Sequence, residues 1–307
     1  MKKKKAKSFT VLEIAKKCGL TETEIQKTIQ ASKLPCLDDQ SYSEEIVEKF
    51  FSNPGEKAIF QAKILAISNQ KGGEGKTTIS IFLAEALSYS SKTLLIDWDP
   101  QANATRMLSS EPQHSIFESL SYRGNVPVPV HTIIKKIQTN LDLLPSSISL
   151  ANLTTPFGIE DFELLKDALK PLKTEYEYII IDCPPSLGLG LENALIAADY
   201  VLIPIQARAF SVQGLQDLHK TIEKIKTRAN SKLRLLGAVL NQYEESRALS
   251  GLSNGIKKYF PVFETIIHRR ESIPQAQAKR KMLSACDPNS KNAFKNLARE
   301  VKLKTNV

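Results

Sequence analysis

A phosphate-binding loop needs a strand that runs into a glycine-rich turn and starts a helix at once. Residues 64–89 have that order. The apolar run Ile64-Leu65-Ala66-Ile67 leads into Lys71-Gly72-Gly73-Glu74-Gly75-Lys76-Thr77-Thr78, and a helical pattern follows from Thr77 to Tyr89. Glycines let the backbone curl so that several N–H groups face one oxyanion cluster. The helix start adds its partial positive charge. Lys76 offers a full charge to the terminal phosphates and Thr77 a hydroxyl to a Mg²⁺ ion. A plain strand–helix connection would need glycine alone, not the lysine and hydroxyls as well. The loop also departs from its common form, which has a glycine five residues before the last one. Here that position is Gln70, and a second lysine, Lys71, follows it.

A chain of 307 residues is long enough for one large domain and a small one. Its 42% hydrophobic and 24% charged residues suit a soluble globular protein. No run approaches the ~18 apolar residues of a membrane span. Lys2 to Lys5 are followed by no apolar core, because Glu13, Lys16 and Lys17 interrupt Val11–Leu20, so a signal peptide is not expected. Cys18, Cys36, Cys183 and Cys286 form no Cys-x-x-Cys pair, which points to reduced thiols in a cytosolic protein and to no structural zinc. The net charge of +9 suits a polyanionic partner, though a basic surface with no partner has the same charge.

The turn-rich break Ser52-Asn53-Pro54-Gly55 divides the chain into residues 1–55 and 56–307. In the first part, Thr10-Val11-Leu12-Glu13 and Thr21-Glu22-Thr23-Glu24 are capping-box patterns. Two short helices with Gly19 between them fit a helix-turn-helix, with Thr28 a poor match to its last core position. Tyr42-Ser43 reads as the start of a further helix, and the whole resembles a small winged helix of the MerR kind. Thr21, Thr23, Gln26, Lys27 and Gln30 would face DNA, and Lys2 to Lys5 with Lys7 would form a phosphate-contacting arm or a solvated tail. A helical hairpin packed on the main domain is the alternative.

In the second part, strand-like runs at 63–68, 93–97, 141–144, 178–182, 200–204 and 233–240 alternate with helices. That order implies an α/β fold with a mainly parallel sheet, whose ligands bind at the carboxyl ends of the strands. Asp97 and Asp99 close one run and share a face if the strand continues through both. Asp182 closes another, where a carboxylate can hold Mg²⁺ beside the loop. A second carboxylate near the last phosphate can orient the attacking water. A lone aspartate at a strand end is usually a turn residue or a cap, but two such ends beside this loop are not well explained that way.

With these motifs the chain resembles the ParA family of partition ATPases. The likeness runs from about residue 62 to 303 and is carried by 71–78, Asp97-Trp98-Asp99-Pro100-Gln101-Ala102-Asn103-Ala104-Thr105, Ile180-Ile181-Asp182-Cys183-Pro184-Pro185-Ser186-Leu187-Gly188, Asn193-Ala194-Leu195 and Val201-Leu202-Ile203-Pro204. It implies a P-loop NTPase fold flanked by helices, preceded by a small helix-turn-helix domain. It also implies ATP and Mg²⁺ as cofactors and a cytoplasmic, nucleoid-associated protein.

The resemblance implies roles as well. Lys71 would reach the partner's nucleotide in an ATP-sandwiched homodimer. Lys76 would contact phosphate in its own subunit, and Asp99 would position the hydrolytic water. Thr77, Asp97 and Asp182 would lie at the metal, and Gly72, Gly73, Glu74, Gly75 and Thr78 would line the nucleotide. Asn241 loosely matches an adenine contact. Glu74 stands where a small or apolar residue is common, and its carboxylate would weaken phosphate binding unless it points to solvent. Arg208 replaces a residue that is often acidic.

The implied cycle is ATP-driven dimerisation, DNA binding without sequence preference, and release by hydrolysis that a ParB-like partner stimulates. Lys257, Lys258, Arg269, Arg270, Lys279, Arg280 and Lys281 would hold the DNA. They are opposed only by Glu264 and Glu271, a local net charge of +5. A charged face that is merely solvated would look the same. Two other functions stay open, a membrane-associated positioning ATPase of the MinD kind and a transcriptional repressor. The first needs a C-terminal lipid anchor, whereas apolar residues at 294, 297, 298 and 301 suit a core-facing helix. A nitrogenase-type iron protein would need a cysteine pattern that is absent.

Overall fold

A computed structural model describes residues 8–18, 22, 25–26, 29, 36–37, 41–43, 46–47 and 61–306, apart from 111, 125, 155, 157, 207–211 and 245–254. The chain divides into two compact units, Met1–Phe60 and Gln61–Val307. The expected break at 52–55 lies outside the described residues. So do Lys2–Lys5, Lys7, Thr21, Thr23, Lys27, Gln30 and Arg208.

In the first unit, helix α1 (Val11–Cys18) begins with the expected capping box. Glu13 Oε2 accepts the Thr10 N–H at 2.8 Å, and the Glu13 N–H donates to Thr10 Oγ1 at 3.4 Å. Ile14, Ala15, Ile25, Tyr42 and Val47 form a small core. Tyr42-Ser43 departs from the expected helix start. It forms strand β2, antiparallel to β1 (Ser8–Phe9), with Phe9 opposite Tyr42. Paired aromatic residues favour that strand. The Ser43 hydroxyl then accepts the Ile46 N–H at 3.4 Å, so a helical turn begins just after the strand.

The second unit is built on a seven-stranded sheet in the order β5-β6-β4-β7-β3-β8-β9. Its strands are β3 (Lys63–Ile67), β4 (Thr93–Asp97), β5 (Lys135–Gln138), β6 (Leu141–Leu144), β7 (Tyr178–Asp182), β8 (Tyr200–Gln206) and β9 (Arg234–Asn241). Every pairing is parallel except β5–β6. β5 is not among the expected strands because Lys-Lys-Ile-Gln is a polar edge strand whose exposed lysines show no apolar run.

Alternate residues face opposite sides of the sheet. Ile64, Ala66, Ile179 and Ile181 pack under α5 (Leu189–Ala197) and α6 (Val212–Arg228). Leu65, Ile67 and Ile180 pack under α2 (Lys76–Ser88) and the last helix, α8 (Pro288–Thr305). Phe82 of α2 meets Phe294 of α8 edge to face, with ring centroids 5.2 Å apart. Phe294, Leu297, Ala298 and Val301 are all buried, so the apolar face of α8 belongs to the core. Among the described residues no helix is long and apolar enough to cross a membrane.

Two truncations in α8 test this orientation. Phe294→Ala should destabilise the unit by about 3–5 kcal/mol. Leu303→Ala, at a side chain 66% exposed, should stay within about 0.5 kcal/mol. Chemical denaturation measures both, and equal costs would mean that the buried face is wrongly assigned.

Candidate nucleotide site

Register builds the site. In the central strands Ile67 pairs with Asp182, and Asp182 pairs with Asp97. Three parallel strands therefore end level, with the glycine loop leaving one and a carboxylate closing each of the others. The loop reaches α2 through Gly73 (φ 81°) and Gly75 (φ 85°), both left-handed. At Gly75 a Cβ would lie 2.1 Å from Asn241 Nδ2, so glycine is required there by conformation and by space. The first N–H groups of α2 have no acceptor within the helix and point at the loop's mouth.

Side chains from neighbouring strands hold the loop. Asn69 Nδ2 donates to the Pro204 carbonyl at 2.7 Å, and its Oδ1 accepts the Lys71 N–H at 3.2 Å. Asn241 Nδ2 donates to the Glu74 carbonyl at 2.9 Å. The Asn241 side chain thus holds the loop backbone through one N–H. Glu74 does not point to solvent. It is buried, and its Oε2 accepts the Gln206 N–H at 2.5 Å. Burial raises its pKa, against the Gln206 N–H and the charges of Lys71 and Lys76. The carboxylate therefore ties the loop to the end of β8.

Lys76 is 7% exposed and folds back, donating from Nζ to the Lys71 carbonyl at 3.2 Å. Burial lowers its pKa, while Asp182, Asp99 and Glu74 oppose that shift. Lys71, Gly72 and Gly73 are exposed at the crest, with Thr77 and Thr78 half-buried on the first helical turn.

The three aspartates are not equivalent. Strand β4 stops at Asp97, so Asp97 and Asp99 do not share a strand face. Asp97 Oδ2 accepts the N–H and the hydroxyl of Thr105, each at 2.7 Å, and its Oδ1 accepts the Asp99 N–H at 3.3 Å. With protein donors on both oxygens, Asp97 fits the task of holding segment 98–105 better than that of a metal ligand. Asp99 lies beyond the strand on the wall of a cavity of about 490 Å³, formed with Trp98, Pro100 and the turn 184–190. Trp98 Nε1 joins the two segments by donating to the Gly190 carbonyl at 2.7 Å.

Asp182 is fully buried and accepts the Ser80 hydroxyl on Oδ1 at 3.0 Å. Its Oδ2 has no hydrogen-bond partner among the described residues. Burial raises its pKa, the nearby Asp97 adds to the rise, and the Thr77 and Ser80 hydroxyls oppose it. Four buried side-chain atoms lack a partner among the described residues, and three of them, on Ser68, Gln70 and Asp182, flank this loop. Such concentration marks a place that a ligand completes. Among the described residues no group of three or more His, Cys, Asp or Glu side chains could hold a metal. Mg²⁺ commonly takes one or two carboxylates and fills its shell from phosphate and water. Asp182 Oδ2 and the Thr77 hydroxyl are the residues that fit it.

Asn69, Ser80, Thr105 and Gln277 are contacts of the site for which no role was expected. Thr105 lies inside a quoted motif and Asn69 just precedes the loop, so both were within reach. Ser80 and Gln277 carry no local signal. The seven basic residues are all exposed. Lys279, Arg280 and Lys281 form one turn after helix α7 (Ser272–Ala278), while Arg269 pairs with Glu244 at 3.0 Å.

A family model described as an AAA domain matches residues 62–235. The sporulation initiation inhibitor protein Soj of Bacillus subtilis is 38% identical over 78% of this chain and 98% of its own length. The chromosome partitioning protein ParA of Myxococcus xanthus is 36% identical over 77% of this chain and 86% of its own. A solved ATP complex of a Cyanothece McdA variant superposes with a TM-score of 0.68 at 27% identity, covering 79% of this chain and 97% of that one.

Gly75→Ala should weaken nucleotide binding at least about tenfold, since left-handed strain of about 1–2 kcal/mol adds to displacement of Asn241. Titration with a fluorescent nucleotide reads this, and unchanged affinity would clear the Asn241 contact. Asp182 also sets a pH dependence. Its folded pKa lies above the unfolded value, so stability is greatest below the ordinary carboxylate range and falls as pH rises toward the raised value. Without nucleotide or Mg²⁺, Asp182→Asn should be the more stable protein at neutral pH by on the order of 1–3 kcal/mol, with the advantage shrinking toward about pH 4. Thermal melts across pH decide it. An advantage of Asp182→Asn over the wild type that does not change with pH would show that this carboxylate is not the group that titrates.

Proposed function

The chain belongs to the ParA family of partition ATPases, and from that premise we propose that it moves DNA by an ATP-driven cycle of dimerisation, DNA binding and release. The observation that carries this reading is that the loop, Lys76 and Asp182 meet at the carboxyl ends of the central strands, with Lys71 and Asp99 beside them. ATP and Mg²⁺ are its cofactors.

The loop N–H groups and Lys76 hold the β- and γ-phosphates. Asp182 and Thr77 would hold Mg²⁺, which would supply charge neutralisation at the phosphates. Asp99, on the cavity wall, orients the attacking water and accepts its proton. Segment 98–105, pinned by Asp97 to Thr105, keeps Asp99 in place. Lys71, exposed at the crest, reaches the nucleotide of a second copy, which turns ATP binding into dimerisation. The exposed basic residues near 257–281 then bind DNA without sequence preference, and a ParB-like protein stimulates hydrolysis and release. Residues 1–55 supply a helix-turn-helix for a specific site, with autorepression of an operon as its use. The buried apolar face of α8 disfavours the MinD-like alternative, because that face is not available to lipid.

Sedimentation with ATP separates the roles of two residues. Asp99→Ala should form the ATP dimer but hydrolyse nothing, while Lys71→Ala should bind nucleotide as a monomer and fail to dimerise. A normal dimer of Lys71→Ala would sink the role across the interface. DNA affinity should fall with salt with a log–log slope of about −3.6 if four phosphates are contacted, and a flat salt profile would remove the basic residues from the cycle. Flotation with liposomes and ATP would favour the membrane alternative.

A further inference from the structure

The basic turn Lys279-Arg280-Lys281 is tied to the phosphate loop more closely than an ordinary surface turn would be. At its base, the Ser272 hydroxyl donates to Asp287 Oδ2 at 2.5 Å, and Asp287 caps α8. Beyond the turn, the Leu283 and Ser284 N–H groups donate to Glu85, a carboxylate of α2 that is 1% exposed. Before the turn, Gln277 Nε2 donates to Thr78 Oγ1 at 2.9 Å, on the first turn of α2 and two residues from Lys76. The segment is therefore held to the phosphate-loop helix on both sides of its charged tip.

The tip itself is strained. The Arg280 N–H donates to the Gln277 carbonyl at 3.0 Å and the Lys281 N–H to the Ala276 carbonyl at 2.8 Å, the pattern that closes a helix with a left-handed residue. That residue is Arg280, at φ 50°. Glycine is the residue at ease there, so an arginine keeps its charge at a conformational cost. Gln277 thus holds Thr78 with its side chain and Arg280 with its backbone.

We propose that Gln277 is the positioning residue through which the turn Lys279-Arg280-Lys281 senses the phosphate loop, making its grip on a polyanion depend on bound nucleotide. The Thr78 hydroxyl can accept from Gln277 and still donate its own proton. A phosphate oxygen in the loop would accept that hydrogen bond, which strengthens the Gln277 bond through the shared hydroxyl. The bond then orders the Gln277 backbone and with it Arg280. This rests on the nucleotide-dependent DNA binding proposed above.

The test uses the full chain and a random-sequence DNA duplex, with and without ATP and Mg²⁺. Gln277→Leu removes the donor and keeps the bulk. It should leave ATP turnover within about twofold while cutting the nucleotide-induced gain in DNA affinity by about fivefold or more. Hydrogen exchange supplies a readout that needs no DNA. Amides 279–284 should become more protected when nucleotide binds the wild type, and not in Gln277→Leu. Arg280→Gly should keep that exchange response, bind DNA more weakly and melt no lower than wild type. If the wild type binds DNA equally with and without nucleotide, the DNA cycle fails and exchange alone judges the coupling. Amides 279–284 that ignore nucleotide in the wild type, or respond equally in Gln277→Leu, overturn it.

Discussion

Parallel pairing of three central strands in a common register is the constraint on which the rest depends. Because Ile67, Asp182 and Asp97 sit side by side, the phosphate loop and two carboxylates emerge at one level. A register shift by one residue would turn each of these side chains to the opposite face of the sheet. The two apolar layers keep the register, since each strand is buried on both sides and alternates its residues between them. Core packing and site geometry are therefore one specification.

That arrangement gathers charge in a dry place. Asp97 and Asp182 are fully buried, and Lys76 nearly so. The protein meets the cost unevenly. Asp97 is satisfied by backbone and hydroxyl donors, which makes it a structural anchor for the segment that carries Asp99. Asp182 keeps one oxygen without a partner among the described residues. An anchored carboxylate and an incomplete one thus stand on adjacent strands.

Much of this was legible in the chain. The strand–loop–helix order, the Asp-ended strands and the core-facing last helix follow from apolar runs, glycine spacing and helical period, all of which are local. The edge strand 135–138 was hidden because an exposed edge shows no apolar run. Tyr42-Ser43 was misjudged because its strand depends on Phe9, more than thirty residues away. The direction of Glu74 was also missed. Its neighbours in sequence are phosphate-loop residues, but its partner is the Gln206 N–H at the end of β8.

The sequence by itself determined the phosphate loop, the identity of its charged residues and the alternation of strands and helices, because each rests on contacts or conformations within a few residues. Only the tertiary structure decided which carboxylate has both oxygens bonded within the protein and which keeps one without a partner among the described residues. It alone also turned Glu74 inward and brought Gln277 to Thr78, across 199 positions. Hydrogen-bond partners at such separations are set by how strands and helices pack. The loop therefore announces itself in eight residues, while the bonds that tie it to the rest of the protein appear only in the fold.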